Sequence, residues 1–258
     1  MMKRYGMSVC ALASFAALTL SCIAQDSPWN GSWKIDHSTL KYDGPTTIIV
    51  ADAEGYTLTF GGKTWPKVVC DGKPNAPDDG TTRVCNKVGA GYEVESIRDG
   101  KPLIKGKDEL SSDGQTLTRT MNVTPPDGSS PFTLTRTSKK VSGGDGMSGT
   151  WKETAFTESQ DTGVLTIQVN GDSVDFKDTD KDKPLTCKLD GTPTKIEGTS
   201  TMTVKQDGPH TLKMTYLHEG KVARESTFIL GKDGKTIQET DITPEPSPSK
   251  MSVTFNKS

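Results

Sequence analysis

Residues 31–36 read GSWKID and residues 149–154 read GTWKET, so Gly-x-Trp-Lys occurs twice, 118 positions apart. Four more landmarks repeat in the same order. VVCDGKP (68–74) matches LTCKLDG (185–191), with Cys70 and Cys187 separated by 117. IRDGK (97–101) matches LHEGK (217–221), and SSDGQTL (111–117) matches GKDGKTI (231–237), both at 120. NVTPPD (122–127) matches DITPEP (241–246) at 119. Such near-constant spacing reads as a tandem duplication. The predicted boundaries are 25–140 for the first unit, 141–148 (VSGGDGMS) for a flexible linker and 149–258 for the second unit. On this reading each half folds alone.

Each half reads as all-β. Tyr56-Thr-Leu58-Thr-Phe60, Leu165-Thr-Ile167-Gln-Val169 and Leu212-Lys-Met214-Thr-Tyr216 alternate apolar and polar residues. That period of two puts one row inside and the other in water. Asp99-Gly100, Asp113-Gly114, Glu219-Gly220 and Asp233-Gly234 separate such runs. Asp-Gly suits the positive φ of a type I′ hairpin turn, whereas Glu-Gly is expected to use chiefly its Gly. About eight or nine short strands per half are predicted. An immunoglobulin-type sandwich should carry Cys, Trp and a distant Cys in that order. Here Trp33 precedes both Cys70 and Cys85, which lie 15 positions apart. Two small antiparallel up-and-down barrels are therefore expected, closure removing exposed sheet edges.

The Gly-x-Trp on the first strand resembles the signature of the lipocalin superfamily. GSWKIDHSTLKYDGP (31–45) is similar to the opening of exported bacterial lipocalin-like domains, and SSDGQTL and GKDGKTI are similar to their late hairpins. Thr39-Leu40-Lys41-Tyr42 follows the family's Lys-Ser-Lys-aromatic stretch in part, and the second half has lost it. The resemblance implies a β-barrel without an assigned biochemical activity. It also implies that Trp33 and Trp151 plug their barrels, and that an Arg on the last strand, Arg136, covers Trp33 by cation–π contact. Phe255 aligns with Arg136 in the second half, so no such cover is expected there.

The N-terminus has its own grammar. Lys3 and Arg4 precede the apolar run SVCALASFAALTLSCIA, the form of a secretory signal over residues 1–24. Export to a bacterial periplasm or to the medium is expected. A lipid anchor at Cys22 is the alternative, although Thr19 stands where a lipobox has Leu. The run is short for a transmembrane anchor, and no span is expected in the mature chain. Removing residues 1–24 takes two cations and no acid, leaving a formal charge of −4 against −2 for the whole chain. With no basic stripe, nucleic acid is not an expected partner.

Few residues suggest chemistry. Cys70 and Cys85 flank a Gly/Pro/Asp-rich hairpin in an exported chain, so a disulfide is expected. Cys187 is left without a partner, either as a buried small apolar residue, which the alternation of Leu185, Cys187 and Leu189 favours, or as an intermolecular link. DFKDTDKDKP (175–184) presents Asp178, Asp180 and Asp182, but Lys183 and Leu189 fall where a calcium loop needs Gly and Glu. His37, His210 and His218 lack metal-ligand spacing. No nucleophile elbow, P-loop or dinucleotide fingerprint is present. A non-enzyme with no metal and no cofactor is expected.

The leading functional expectation is a small amphipathic or apolar molecule bound inside one or both barrels, since a barrel of this size can enclose one ligand. Tyr56, Phe60, Tyr92, Phe176, Met214 and Tyr216 are the candidate interior residues, selected by the phase of alternation. The second reading is an envelope structural or protein-interaction module with filled barrels. A third is an inhibitor presenting hairpin loops such as PNAPDDG (74–80). Oligomeric state is open.

Overall fold

Thr-rich alternation suits pleated, half-buried strands, and it yields twenty of them among the residues described by the computed structural model, 27–76, 80–125, 130–159, 163–178, 183–196 and 198–258. The expected leader, 1–24, part of PNAPDDG and the aspartates Asp180 and Asp182 lie outside the described residues. In chain order the first eleven strands are β1 (Gly31–Asp43), β2 (Thr46–Ala51), β3 (Gly55–Phe60), β4 (Lys63–Thr64), β5 (Val68–Val69), β6 (Thr82–Val88), β7 (Gly91–Arg98), β8 (Lys101–Leu110), β9 (Thr116–Val123), β10 (Phe132–Ser142) and β11 (Gly149–Glu158). The remainder are β12 (Val164–Asn170), β13 (Ser173–Asp178), β14 (Leu185–Lys188), β15 (Thr194–Lys195), β16 (Ser200–Gln206), β17 (Thr211–His218), β18 (Lys221–Leu230), β19 (Thr236–Thr243) and β20 (Ser249–Lys257).

These form two curled, barrel-like antiparallel sheets, as the alternation predicts. The sheets do not follow the predicted boundaries. One runs β4-β3-β2-β11-β10-β9-β8-β7-β6, with β5 also on β3; the other runs β14-β13-β12-β1-β20-β19-β18-β17-β16-β15. The first Gly-x-Trp strand, β1, therefore belongs to the second sheet, between β12 and β20. The second, β11, belongs to the first sheet, between β10 and β2. Residues 46–158 build one barrel, inserted between the first strand and the rest of the other. We call them the inserted and the outer barrel.

Two features of the sequence account for this exchange. Only Gly44-Pro45 joins β1 to β2, and Pro cannot adopt the positive φ that a type I′ turn needs at both central positions. The chain crosses there instead, held to β11 by Gly44 N–H to the Glu153 carbonyl at 2.9 Å and Glu153 N–H to the Pro45 carbonyl at 3.0 Å. The residue two beyond each Trp then selects the sheet. Ile35 packs against the apolar core of the outer barrel, while Glu153 meets Arg136 of the inserted one. Exchanging the two would bury an unpaired carboxylate, which costs several kcal/mol. Of residues 141–148, predicted as the inter-domain linker, 141–142 end strand β10 and 143–148 connect β10 to β11 within a single sheet.

The Gly-x-Trp motif is used identically in both barrels. Gly31 and Gly149 share a φ of 143°, and a Cβ would lie 2.8 Å from Lys257 Cε in one and 2.6 Å from the Gly143 carbonyl oxygen in the other. Only glycine suits such a position. Trp33 and Trp151 are fully buried. Each indole N–H donates four residues back, to the Trp29 carbonyl at 3.0 Å and the Met147 carbonyl at 2.9 Å. The cation over each ring is a lysine: Lys257 Nζ lies 5.1 Å from Trp33, and Lys140 Nζ 4.8 Å from Trp151. Arg136 does not cover Trp33, which sits in the other sheet.

The seams are also equivalent. In the inserted barrel Asp71 bridges Asn86, and the adjacent Cys70 and Cys85 are disulfide-bonded. In the outer barrel Asp190 bridges Lys205, with Gln206 N–H on the Leu189 carbonyl at 2.9 Å. Register thus matches Cys70 with Leu189 and Cys85 with Val204. Cys187 corresponds to Val68, not Cys70, since Cys187 faces Val174 as Val68 faces Tyr56. It is a buried free thiol, and burial pushes its pKa up.

Among the tight turns, Asp99-Gly100 has both residues at positive φ, as predicted. Glu219-Gly220 does too, with Glu219 at 51° like Asp99, so the strand twist imposes type I′ geometry even on Glu. At Asp113-Gly114 and Asp233-Gly234 only the Gly is positive. There the turn is wider, closed by Ser111 N–H to the Thr116 carbonyl and Gly231 N–H to the Thr236 carbonyl.

Candidate functional site

The interiors of the two barrels differ at matching positions. Inward residues of the outer barrel include Phe176, Phe228, Val253 and Phe255, all buried, with Phe176 and Phe228 rings 6.4 Å apart. In the inserted barrel, strand register places Leu58, Asp108, Arg136 and Ser138 there in that order, so Phe255 corresponds to Ser138 and not, as the sequence alignment has it, to Arg136. Three aromatic rings are thus replaced by a smaller aliphatic residue, an aspartate and a serine.

Two adjoining cavities of about 210 and 250 Å³ occupy the inserted barrel, sharing Leu58, Trp65, Arg119 and Met121 in their walls. The first lobe adds Tyr56, Val94, Ile104 and the Asp108 carboxylate; the second adds Ile49, Phe60, Ser138 and the ring of Trp151. Trp65, partly exposed, stands at both lobes, with Lys63 Nζ 4.4 Å from its ring. The walls are mainly apolar with a few fixed polar groups, the usual make-up of a small-molecule pocket.

Those polar groups form two ion pairs. Arg119 grips both oxygens of Asp108, from Nε at 2.6 Å and Nη2 at 2.8 Å. The Asp108 side chain is 5% exposed and that of Arg119 26%. Burial alone would lower the Arg119 pKa, but the Asp108 charge outweighs it and holds the guanidinium above its usual range. Arg136 Nη1 meets Glu153 Oε2 at 3.0 Å, and the Tyr42 hydroxyl donates to Glu153 Oε1 at 3.0 Å. Tyr42 comes from β1 of the outer barrel, and its phenol is pushed well above its ordinary pKa, first by burial and then by Glu153. Arg136 Nε is buried yet has no hydrogen-bond partner among the described residues.

The predicted interior residues divide between the barrels. Tyr56 and Phe60 line the cavities. Tyr92 packs against Tyr56 within the core, the ring centres 4.9 Å apart and the planes tilted by 42°. Phe176 and Met214 are buried in the outer barrel, and Tyr216 packs there beneath Arg224, 4.1 Å from its ring. The outer barrel keeps a polar corner, where Arg224 lies 3.8 Å from Asp241. Arg119, Asp108, Glu153, Met121 and Trp65 were not singled out from the sequence. The usable signal was charge in the inward phase: Leu117-Thr-Arg119-Thr-Met121 alternates like its neighbours, so Arg119 falls where an apolar residue is expected.

Among the described residues no group of three or more His, Cys, Asp or Glu is placed to hold a metal ion, and no helix is long and apolar enough to cross a membrane. Comparison with protein-family models, with curated proteins and with solved structures found no match.

Proposed function

We propose that this chain is an exported, non-enzymatic, lipocalin-like binding protein whose inserted barrel holds one small amphipathic molecule. The outer barrel is its filled, structural copy. The observation that carries this reading is the contrast at matched positions: phenylalanines fill the outer barrel where the inserted barrel has Asp108, Ser138 and open space. A void lined by Leu58, Met121 and Val94 forgoes packing contacts that protein interiors normally make, and a ligand would restore them. Arg119 and Arg136 supply polar anchors within those apolar walls, as specific pockets do.

Native mass spectrometry of the mature protein, purified from its own host without delipidation, tests this. A reproducible extra mass that disappears on denaturation is expected. The variant Ser138→Phe introduces the ring that the outer barrel carries at Phe255, and should be recovered bare. Bare wild-type protein, or an extra mass that Ser138→Phe leaves in place, would contradict the proposal.

A further inference from the structure

The polar groups in the walls are unequally spent. Asp108 and Glu153 have both oxygens engaged: Arg119 donates to the two of Asp108, while Tyr42 and Arg136 each donate to one of Glu153. The guanidinium groups are not exhausted in return, since each carries five N–H donors and no acceptor. Arg119 uses a two-armed grip, whereas Arg136 gives Glu153 a single contact from Nη1, and its Nε has no partner among the described residues. The Arg136 side chain is 38% exposed, that of Arg119 26%. What the second lobe has left to offer a guest is therefore mainly N–H, and most of it sits on Arg136.

From this inventory we infer that the ligand is an uncharged amphiphile whose polar end is a bare acceptor, a carbonyl as in a ketone, ester or lactone, seated on Arg136. A carbonyl oxygen would accept from the guanidinium fork without disturbing the Glu153 contact, and a bond from a charged donor is stronger than one between neutral groups. Arg119 and Arg136 each already face a carboxylate. A carboxylate head would compete with Glu153 for the same guanidinium, and an ammonium head would meet carboxylates whose oxygens are all engaged. Either ion would also give up its hydration to enter mainly apolar walls, which is costly. The hydrocarbon body would lie along Leu58, Met121 and Trp65, which the two lobes share. The outer barrel has no such seat. Register places Val253 at the position of Arg136, and Ile35 at that of Glu153. The inference rests on the reading of the inserted barrel as a container.

The test is titration of delipidated mature protein at neutral pH with 2-decanone, 1-chlorononane, decanoate and decyltrimethylammonium, each below its solubility or micellar limit. Tryptophan fluorescence follows binding, because Trp65 and Trp151 stand in the walls. The ketone should bind at one site per chain, about tenfold or more tighter than the chloroalkane, the worth of one hydrogen bond from a charged donor. Decanoate should bind more weakly than the ketone, and the cation not measurably. Replacing the pair as a unit, Arg136→Met/Glu153→Met, avoids stranding a charge. It should cost the ketone its advantage and leave the chloroalkane unchanged. A second reading needs no variant: the carbonyl stretch of bound 2-decanone should lie below its frequency in hydrocarbon solvent. Equal binding of ketone and chloroalkane, an advantage that survives the double variant, or an unshifted carbonyl stretch would overturn the seat. Decanoate binding as tightly as the ketone would overturn the uncharged head. Each of these results leaves the container standing. Failure of ketone, chloroalkane and decanoate all to bind would sink both.

Discussion

The two tryptophans show how much one side chain carries. Trp33 and Trp151 are each fully buried, bonded four residues back and capped by a lysine. Trp33→Ala should destabilise the outer barrel and Trp151→Ala the inserted one, each by about 3–5 kcal/mol, as truncation of a buried aromatic does. Thermal unfolding followed by calorimetry would show which transition moves. Assigning Trp33 to the barrel of residues 46–158 would require the opposite pairing. Tyr56 sets an alkaline limit on the inserted barrel. Its folded pKa of about 12 lies above the ordinary 10, mainly through burial and then through Asp108. The stability it confers is full below pH 10 and is lost as pH rises toward 12, up to about 3 kcal/mol. Tyr56→Phe should flatten unfolding free energy over that window relative to wild type. At this scale the sequence revealed the tryptophans and the disulfide, because each is a rare residue in a repeated or flanked setting. It hid Arg119, because a charge on an alternating strand reads as a solvated face until the opposite wall is known, and it gave Arg136 the wrong partner, Trp33 in place of Glu153.

At the scale of strands, alternation and turn residues made the hairpins legible. Which strand completes which barrel was not, since both Gly-x-Trp copies fit either site and only Gly44-Pro45 and the Ile35/Glu153 difference decide. The exchange makes a sharp prediction about fragments. Residues 44–159 contain all the strands of the inserted barrel and should unfold cooperatively as an isolated fragment. Residues 25–142 lack β11, leave β2 and β10 with unpaired edges, and should not. Circular dichroism with urea titration separates these outcomes, and a cooperative 25–142 would refute the exchange. The seams give a second prediction. Closing a loop over 15 positions contributes roughly 3 kcal/mol in the chain-entropy model. Reduction of Cys70–Cys85 should therefore lower the unfolding transition of the inserted barrel alone, because Leu189 and Val204 stand at the matching places in the outer one.

Across the whole molecule, one strand pattern is built twice with different interiors. The outer barrel fills its interior with Phe176, Phe228 and Phe255, whereas the inserted barrel trades that packing for two ion pairs and a cavity. Crossing at Gly44-Pro45 also brings Tyr42 of β1 onto Glu153, and Lys152 within 2.9 Å of Asp43, so the filled barrel contributes to the wall behind the open one. If the inserted barrel alone receives a ligand, the methionines report it directly. Met121 lines the cavity, while Met202 and Met214 are buried in the outer barrel. The measurement is a methyl NMR spectrum of ¹³C-methionine-labelled protein during titration with 2-decanone. The Met121 signal should move and saturate while those of Met202 and Met214 stay in place. Saturable movement of Met202 and Met214 with Met121 unmoved would contradict it.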